Sequence, residues 1–152
     1  MNVKKRSRGR ELALQFLYQL DLLGDEVLAD LDGFLADQEG DTSAVQFART
    51  LVRGTSERRD EIDGVIRDVA QNWKIERMAV IDRNVLRLAT FEMLFVTDVP
   101  PKVSINEAIE LGKRYSTQNS GGFINGVLDK VRVRYWEPKF GAAAEAPGEP
   151  GN

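Results

Sequence analysis

The chain has no cysteine and no histidine among its 152 residues. Without cysteine there is neither a disulfide framework nor a thiolate nucleophile. Without histidine the usual transition-metal sites and Ser-His or Cys-His catalysis fall away as well. Long apolar runs are missing too: every stretch is broken by charge well short of the roughly 18 residues a membrane span needs. The start, Met-Asn-Val-Lys-Lys-Arg-Ser-Arg-Gly-Arg, is charged but leads into no uninterrupted apolar core and no small-residue cleavage site, so it does not read as a secretory signal. Nor is there a Gly-rich cofactor or phosphate loop. A protein without catalytic groups, metal or cofactor, at work in a reducing cytoplasm, is the expectation.

What is present is 42% hydrophobic residues, enough for one core of ordinary domain size, with room for two helical lobes. The net charge of −3 conceals an asymmetry: the first ten residues hold five basic groups (Lys4, Lys5, Arg6, Arg8, Arg10) and no acid. From Asp21 to Asp41 the sign reverses, with eight acids and no Lys or Arg. RNA should avoid that segment, and a basic protein could seek it.

Helical spacing runs from end to end. Ala13, Phe16, Leu17, Leu20 and Leu23 line one face, with Ser7 as N-cap and Gly24 as stop. Val27, Leu28, Leu31, Phe34 and Leu35 give a short second helix ending at Gly40, and Ser43 with Gln46 offers a capping box for a third. That third stretch buries Phe47, Ala48, Leu51 and Val52, breaks near Gly54, and resumes through Ile62, Val65, Ile66, Val69 and Trp73. Residues 80–97 are apolar on nearly every side, as suits the centre of a bundle. Pro100 and Pro101 end that helix, and Ser104 with Glu107 forms a second capping box. A polar linker from Ser116 to Gly122 leads to a last helix with Ile124, Val127, Leu128, Val131 and Tyr135 as its stripe. Asn125-Gly126 is a hairpin signal by composition, but its neighbours keep helical spacing. The segment after Trp136 has the composition of a disordered tail.

Arg6, Arg10, Leu14 and Tyr18 lie four apart, a ridge of two cations followed by an apolar and an aromatic group. Guanidinium and ring are what single-stranded RNA needs; a solvated basic arm, with Leu14, Tyr18 and Leu22 as a protein interface, fits the same residues. Glu92 falls by phase within an apolar arc, so it is expected to be a buried carboxylate that holds an arginine or a helix N-terminus. In the linker, Asn119 and Ser120 suit phosphate or base edges and Phe123 a base face, while a plain connection with Phe123 in the core fits equally.

Several separated blocks carry a resemblance: residues 8–18 (Arg-Gly-Arg-Glu-Leu-Ala-Leu-Gln-Phe-Leu-Tyr), 82–89 (Asp-Arg-Asn-Val-Leu-Arg-Leu-Ala), Asp98-Val-Pro100, 103–113 and 123–130. In this order, across about residues 6–135, they closely resemble the bacterial transcription antitermination factor NusB family. The resemblance implies an all-α fold of about seven helices in two small packed bundles. It implies a single domain over residues 1–136, with lobes of about 7–73 and 77–136 and a disordered tail at 137–152. It further implies an RNA-binding adaptor that binds boxA RNA of ribosomal RNA operons together with NusE, a small-subunit ribosomal protein. That complex joins the RNA polymerase elongation complex with other Nus factors. By position, Lys4, Lys5, Arg6, Arg10, Asn119 and Phe123 resemble the RNA surface, and Tyr18 and Asp82 the partner side. Asn119 and Gly122 depart from the acid and the basic residue that family members often carry there. The alternatives are an accessory domain of an RNA-modifying system, since NusB-like domains also occur fused to RNA methyltransferases, and a homo-oligomeric module joined through Leu14, Tyr18 and Leu22.

Overall fold

A computed structural model describes residues 3–38 and 42–141. Helix α1 (Val3–Leu23) is followed by a 3-10 turn at Asp25–Asp30 and a short α2 (Leu31–Ala36). Then come α3 (Thr42–Glu57), α4 (Arg59–Val69), a 3-10 turn at Ile75–Arg77, α5 (Val80–Phe95), α6 (Pro101–Tyr115) and α7 (Ser120–Val131). The all-helical, seven-helix expectation holds, and no strand occurs among the described residues.

The sequence that is apolar all round is the centre of the molecule. Helix α5 packs against α1, α3, α4, α6 and α7, and every residue from Asn84 to Leu94 is buried. One continuous apolar cluster joins α1, α3 and α4 to α5, α6 and α7, so both halves of the chain share a single core. No helix of the described residues is long and apolar enough to cross a membrane.

Several boundaries depart from the sequence expectation. Ser7 lies inside α1, which is already helical at Val3, whereas Gly24 does stop it: at φ 105° the backbone takes a conformation that glycine adopts at least cost. The expected stop at Gly40 lies outside the described residues. Ser43 is inside α3 and its partner in the expected box, Gln46, accepts from Arg49 instead. The break expected at Gly54 falls at Arg58, between α3 and α4. Gly54 serves close approach: a Cβ there would stand 2.0 Å from the Phe91 ring of α5. Trp73 is not in the core stripe, because α4 ends at Val69 and the helical phase stops with it; the indole is 58% exposed.

Helix α6 begins at Pro101, where a missing N–H costs nothing, so Ser104 and Glu107 sit inside the helix and cap nothing. The linker before α7 is only Ser116 to Asn119. Asn125 and Gly126 are helical, as their neighbours' spacing requires. Beyond α7 the chain winds on as a π-helical segment from Arg132 to Gly141, so residues 137–141 are not the start of a disordered tail. The Tyr135 hydroxyl donates to Asp68 at 2.5 Å and Arg134 pairs with the same carboxylate at 3.2 Å, tying this segment to α4. Residues 142–152 lie outside the described region.

Gly54→Ala is expected to destabilise the protein by about 1–3 kcal/mol through overpacking against Phe91. Gly64→Ala, on the exposed side of α4 with no atom near the added methyl, should stabilise it by about 0.5–1 kcal/mol. Urea unfolding of the two variants checks both signs.

Candidate nucleic-acid and partner interface

The basic start of α1 does not present its cations alike. Lys4 is exposed, and Lys5 and Arg6 are half-buried. Arg6 lies 4.7 Å from the Phe47 ring centroid and makes a two-pronged contact with Asp98, at 3.3 and 2.9 Å. That hydrogen bond holds the Asp98 carboxyl below its usual range.

Arg10 does not stand on the exposed ridge that its spacing with Arg6 suggests. Its side chain is 3% exposed and lies inside the protein against Glu92, which is 1% exposed. Arg10 Nε donates to Glu92 Oε1 at 2.8 Å and Nη2 to Oε2 at 2.6 Å. Ser104 donates to the same Oε2 at 2.9 Å, Arg10 Nη1 reaches Glu107 at 3.2 Å, and Ser7 donates to Glu107 at 2.6 Å. Burial pulls the Arg10 guanidinium down, and the hydrogen bonds and charge of Glu92 more than offset it, so its value is raised and the charge is kept. A cation committed in this way cannot reach a phosphate. The expected arginine partner of Glu92 is therefore Arg10, and the Ser104 and Glu107 pattern builds the cradle for that pair.

Residue types alone did not bring out a second polar cluster, which pins the other end of α1. Asp21 accepts from Arg83 at 2.7 and 2.9 Å, from Asn84 at 2.8 Å and from Arg87 at 3.3 Å. Arg87 also grips Asp63 of α4 at 2.8 and 3.1 Å. Burial pushes the Asp21 carboxyl up, but the hydrogen bonds of Arg83 and Asn84 and the charges of Arg83 and Arg87 outweigh it and hold it low. The signal available in sequence was the Arg83, Arg87 pair, spaced i, i+4 on a largely apolar helix.

Of the remaining ridge, Leu14 is buried at 4% while Tyr18 is exposed at 39%. Tyr18 lines a groove of about 340 Å³ with Leu14, Gln15, Gln19, Ile81 and Tyr115. Asp82, next to Ile81 in the first turn of α5, is half-buried, and its Oδ1 is buried without a hydrogen-bond partner. In the α6–α7 connection, Asn119 is exposed and does not cap α7. Ser120 is buried and turned inward, accepting from the Thr117 N–H at 3.2 Å, so it is not available to a ligand. Phe123 is half-buried against Trp73.

These positions define an order along α1. Arg6 meets Asp98 before α6 begins, Ser7 and Arg10 meet Glu107 in its middle, Arg114 near its end pairs with Glu11, and Tyr18 shares a groove with Tyr115. Helices α1 and α6 thus run in the same direction. Lys4 and Asn119 lie toward opposite ends of α6, whose 15 residues span about 22 Å.

The described residues thus form an all-helical module with a cationic helix start at one end and an apolar groove beside a polar loop at the other. A sequence model described as the NusB family matches residues 7–132. The chain belongs to the NusB family. It is 49% identical over 131 residues to the transcription antitermination protein NusB of Desulforapulum autotrophicum, covering 84% of this chain and 91% of that one. Among solved structures it resembles Thermotoga maritima NusB ("T. maritima NusB") at 40% identity and a TM-score of 0.77, covering 85% and 91%. It also resembles a chain from a structure of the antitermination factors NusB and NusE in complex with double-stranded RNA. There the identity is 27% and the TM-score 0.78, with 87% and 98% covered.

Arg10→Met alone should cost about 3–5 kcal/mol, because it leaves Glu92 buried and uncompensated. Arg10→Met combined with Glu92→Leu should regain most of that loss, which denaturant unfolding of the single and double variants measures. For Asp21 the folded value is lowered, so its stabilising contribution is complete above the ordinary carboxylate value of about 4 and is lost as pH falls through the lowered value. The stability gap between wild type and Asp21→Asn should therefore be constant near neutrality and close under acid, as urea midpoints measured across pH will show.

Proposed function

We propose that this chain is a non-enzymatic adaptor of transcription antitermination in the cytoplasm, binding boxA RNA together with NusE and joining the RNA polymerase elongation complex with other Nus factors. Membership of the NusB family, with curated relatives named for transcription antitermination, carries the reading. The likeness to a NusB chain solved with NusE and RNA supports the choice of partners.

Lys4, Lys5 and Arg6 supply cations to the phosphates at one end, and Asn119 and Phe123 meet the RNA at the other. Arg10 takes no direct part; it is a positioning residue that fixes the helix carrying the other three. To release Arg6, a phosphate must compete with Asp98 for its guanidinium. Tyr18 and the groove it lines face NusE, with Asp82 beside them offering a buried acceptor that lacks a donor in the free chain. The carboxylates that acid-base chemistry could have used, Glu92 and Glu107, are instead engaged with Arg10, Ser104 and Ser7, which supports a role without catalysis.

A second reading has its own observation: of the row Leu14, Tyr18 and Leu22, Leu14 is buried, but Tyr18 and Leu22, one helical turn apart, are exposed at 39 and 53% and a second copy of the chain could cover them. Sedimentation velocity of the free protein separates the two, since a monomer leaves the row open for NusE.

Titration of labelled boxA RNA, with and without NusE and across salt, tests the function. Binding should be sequence-selective, enhanced by NusE, and weakened by salt; its absence in all conditions overturns the proposal. Lys4→Ala and Lys5→Ala should each reduce the salt slope by about 0.7, the value for one phosphate contact on a single strand. Tyr18→Asp should impair NusE binding before RNA binding.

A further inference from the structure

We infer that Trp73 is the platform on which an unpaired base of the RNA stacks, with Phe123 as its buttress. The inference rests on the RNA-binding reading above and adds a residue which that reading does not use. Trp73 stands in the turn after α4, and at 58% exposure it is the most exposed aromatic among the described residues. Phe123, the aromatic expected to stack, is half-buried and has less free surface to give.

The indole is exposed without being loose. Its ring centroid lies 5.2 Å from that of Phe123 at an interplanar angle of 66°, an edge-on contact. Its backbone N–H donates to the Ala70 carbonyl at 2.9 Å, which closes the turn. An aromatic held this way has already given up most of the freedom that stacking would cost.

Its surroundings suit a nucleotide better than an apolar protein segment. Asn119, exposed and not used as a cap, carries both a donor and an acceptor for a base edge. At Gly122 no atom lies within 4 Å of where a Cβ would stand, so the approach is open. Lys74 follows Trp73 directly, and the stem of Lys113 passes 3.4 Å from where a Cβ on Gly121 would stand; both side chains are exposed, Lys113 lying 3.8 Å from Glu110, and they bring cations to this end. A flat ring, an exposed amide one helical turn before its buttress, and nearby cations are the parts of a sequence-tolerant site for a single strand.

The chain has two tryptophans, so Trp136→Phe leaves Trp73 as the sole indole reporter. Titrating that variant with unlabelled single-stranded boxA RNA should quench its fluorescence with the same midpoint as binding measured by anisotropy of labelled RNA. Trp73→Ala should weaken RNA binding about 5- to 150-fold, the range for loss of one stacked base, while Trp73→Phe keeps part of it. Wild-type affinity in Trp73→Ala, in a protein whose RNA binding still falls with Lys4→Ala, overturns the inference and leaves the adaptor reading intact. So does a loss confined to NusE binding, which would make the patch a protein contact. If the unsubstituted protein binds no boxA RNA with or without NusE, the adaptor reading fails and the inference with it.

Discussion

Arg10 and Glu92 meet where α1 crosses α5, and both are withdrawn almost completely from water. Each ion loses several kcal/mol of hydration on burial, and their attraction repays this only when the remaining donors and acceptors are occupied. Ser104 and Glu107 meet that condition from α6, and Ser7 completes it from α1. Three helices are thereby required to arrive at one point. An apolar stripe such as Leu12, Phe16 and Leu20 tolerates sliding by a turn, because any leucine can replace another against the core. A two-pronged ion pair does not. We infer that the pair is kept for register rather than for net stability, and the Asp21 cluster with Arg83, Asn84 and Arg87 fixes the same helix at its other end.

Helix α1 carries both proposed surfaces, so this double anchoring matters for function. Lys4, Lys5 and Arg6 extend beyond the Arg10 anchor, and Tyr18 lies between the two anchors with its ring toward α6. A rotation of α1 by one residue, about 100°, would turn Tyr18 away from Tyr115. Among the described residues of the acidic stretch after α1, Arg59 pairs with Asp25, and Arg49 and Arg53 pair with Asp32.

Much of the frame was legible in the sequence because it depended on local physics. The all-round apolarity of residues 80–97 announced a central helix, Gly24 announced a stop, and an acid in an apolar arc announced a buried, paired Glu92. What escaped depended on tertiary phase. A run of basic residues has a composition but no inside or outside, so Arg10 looked like its neighbours until α5 and α6 were in place. Ser104 and Glu107 have the spacing of a capping box, yet Pro101 had already started the helix, and the same two side chains serve Arg10. Gly54 has the local signature of a break because glycine lowers helix propensity; the Phe91 ring that needs the missing Cβ lies 37 residues away in sequence. Trp73 continues the sequence phase of α4, but that helix ends at Val69. In the α6–α7 connection, Ser120 has the composition of a ligand-binding serine, yet it closes the turn with Thr117, a role that depends on how the two helices meet.

The parallel course of α1 and α6 also bears on how two partners could cooperate. RNA that touches both Lys4 and Asn119 must follow α6 for most of its about 22 Å, which takes several nucleotides and makes a single-base contact insufficient. At the far end of that path the groove of Tyr18, Ile81 and Tyr115 adjoins the loop, since Tyr115 is the last residue of α6 and Asn119 the last before α7. A protein seated in the groove therefore stands beside the RNA where the strand leaves the loop, and can add its own contacts to the same strand. Cooperation then needs no conformational change in this chain. It follows from joint occupancy of adjacent surfaces, and the rigidity that Arg10 and Asp21 give to α1 keeps those surfaces adjacent.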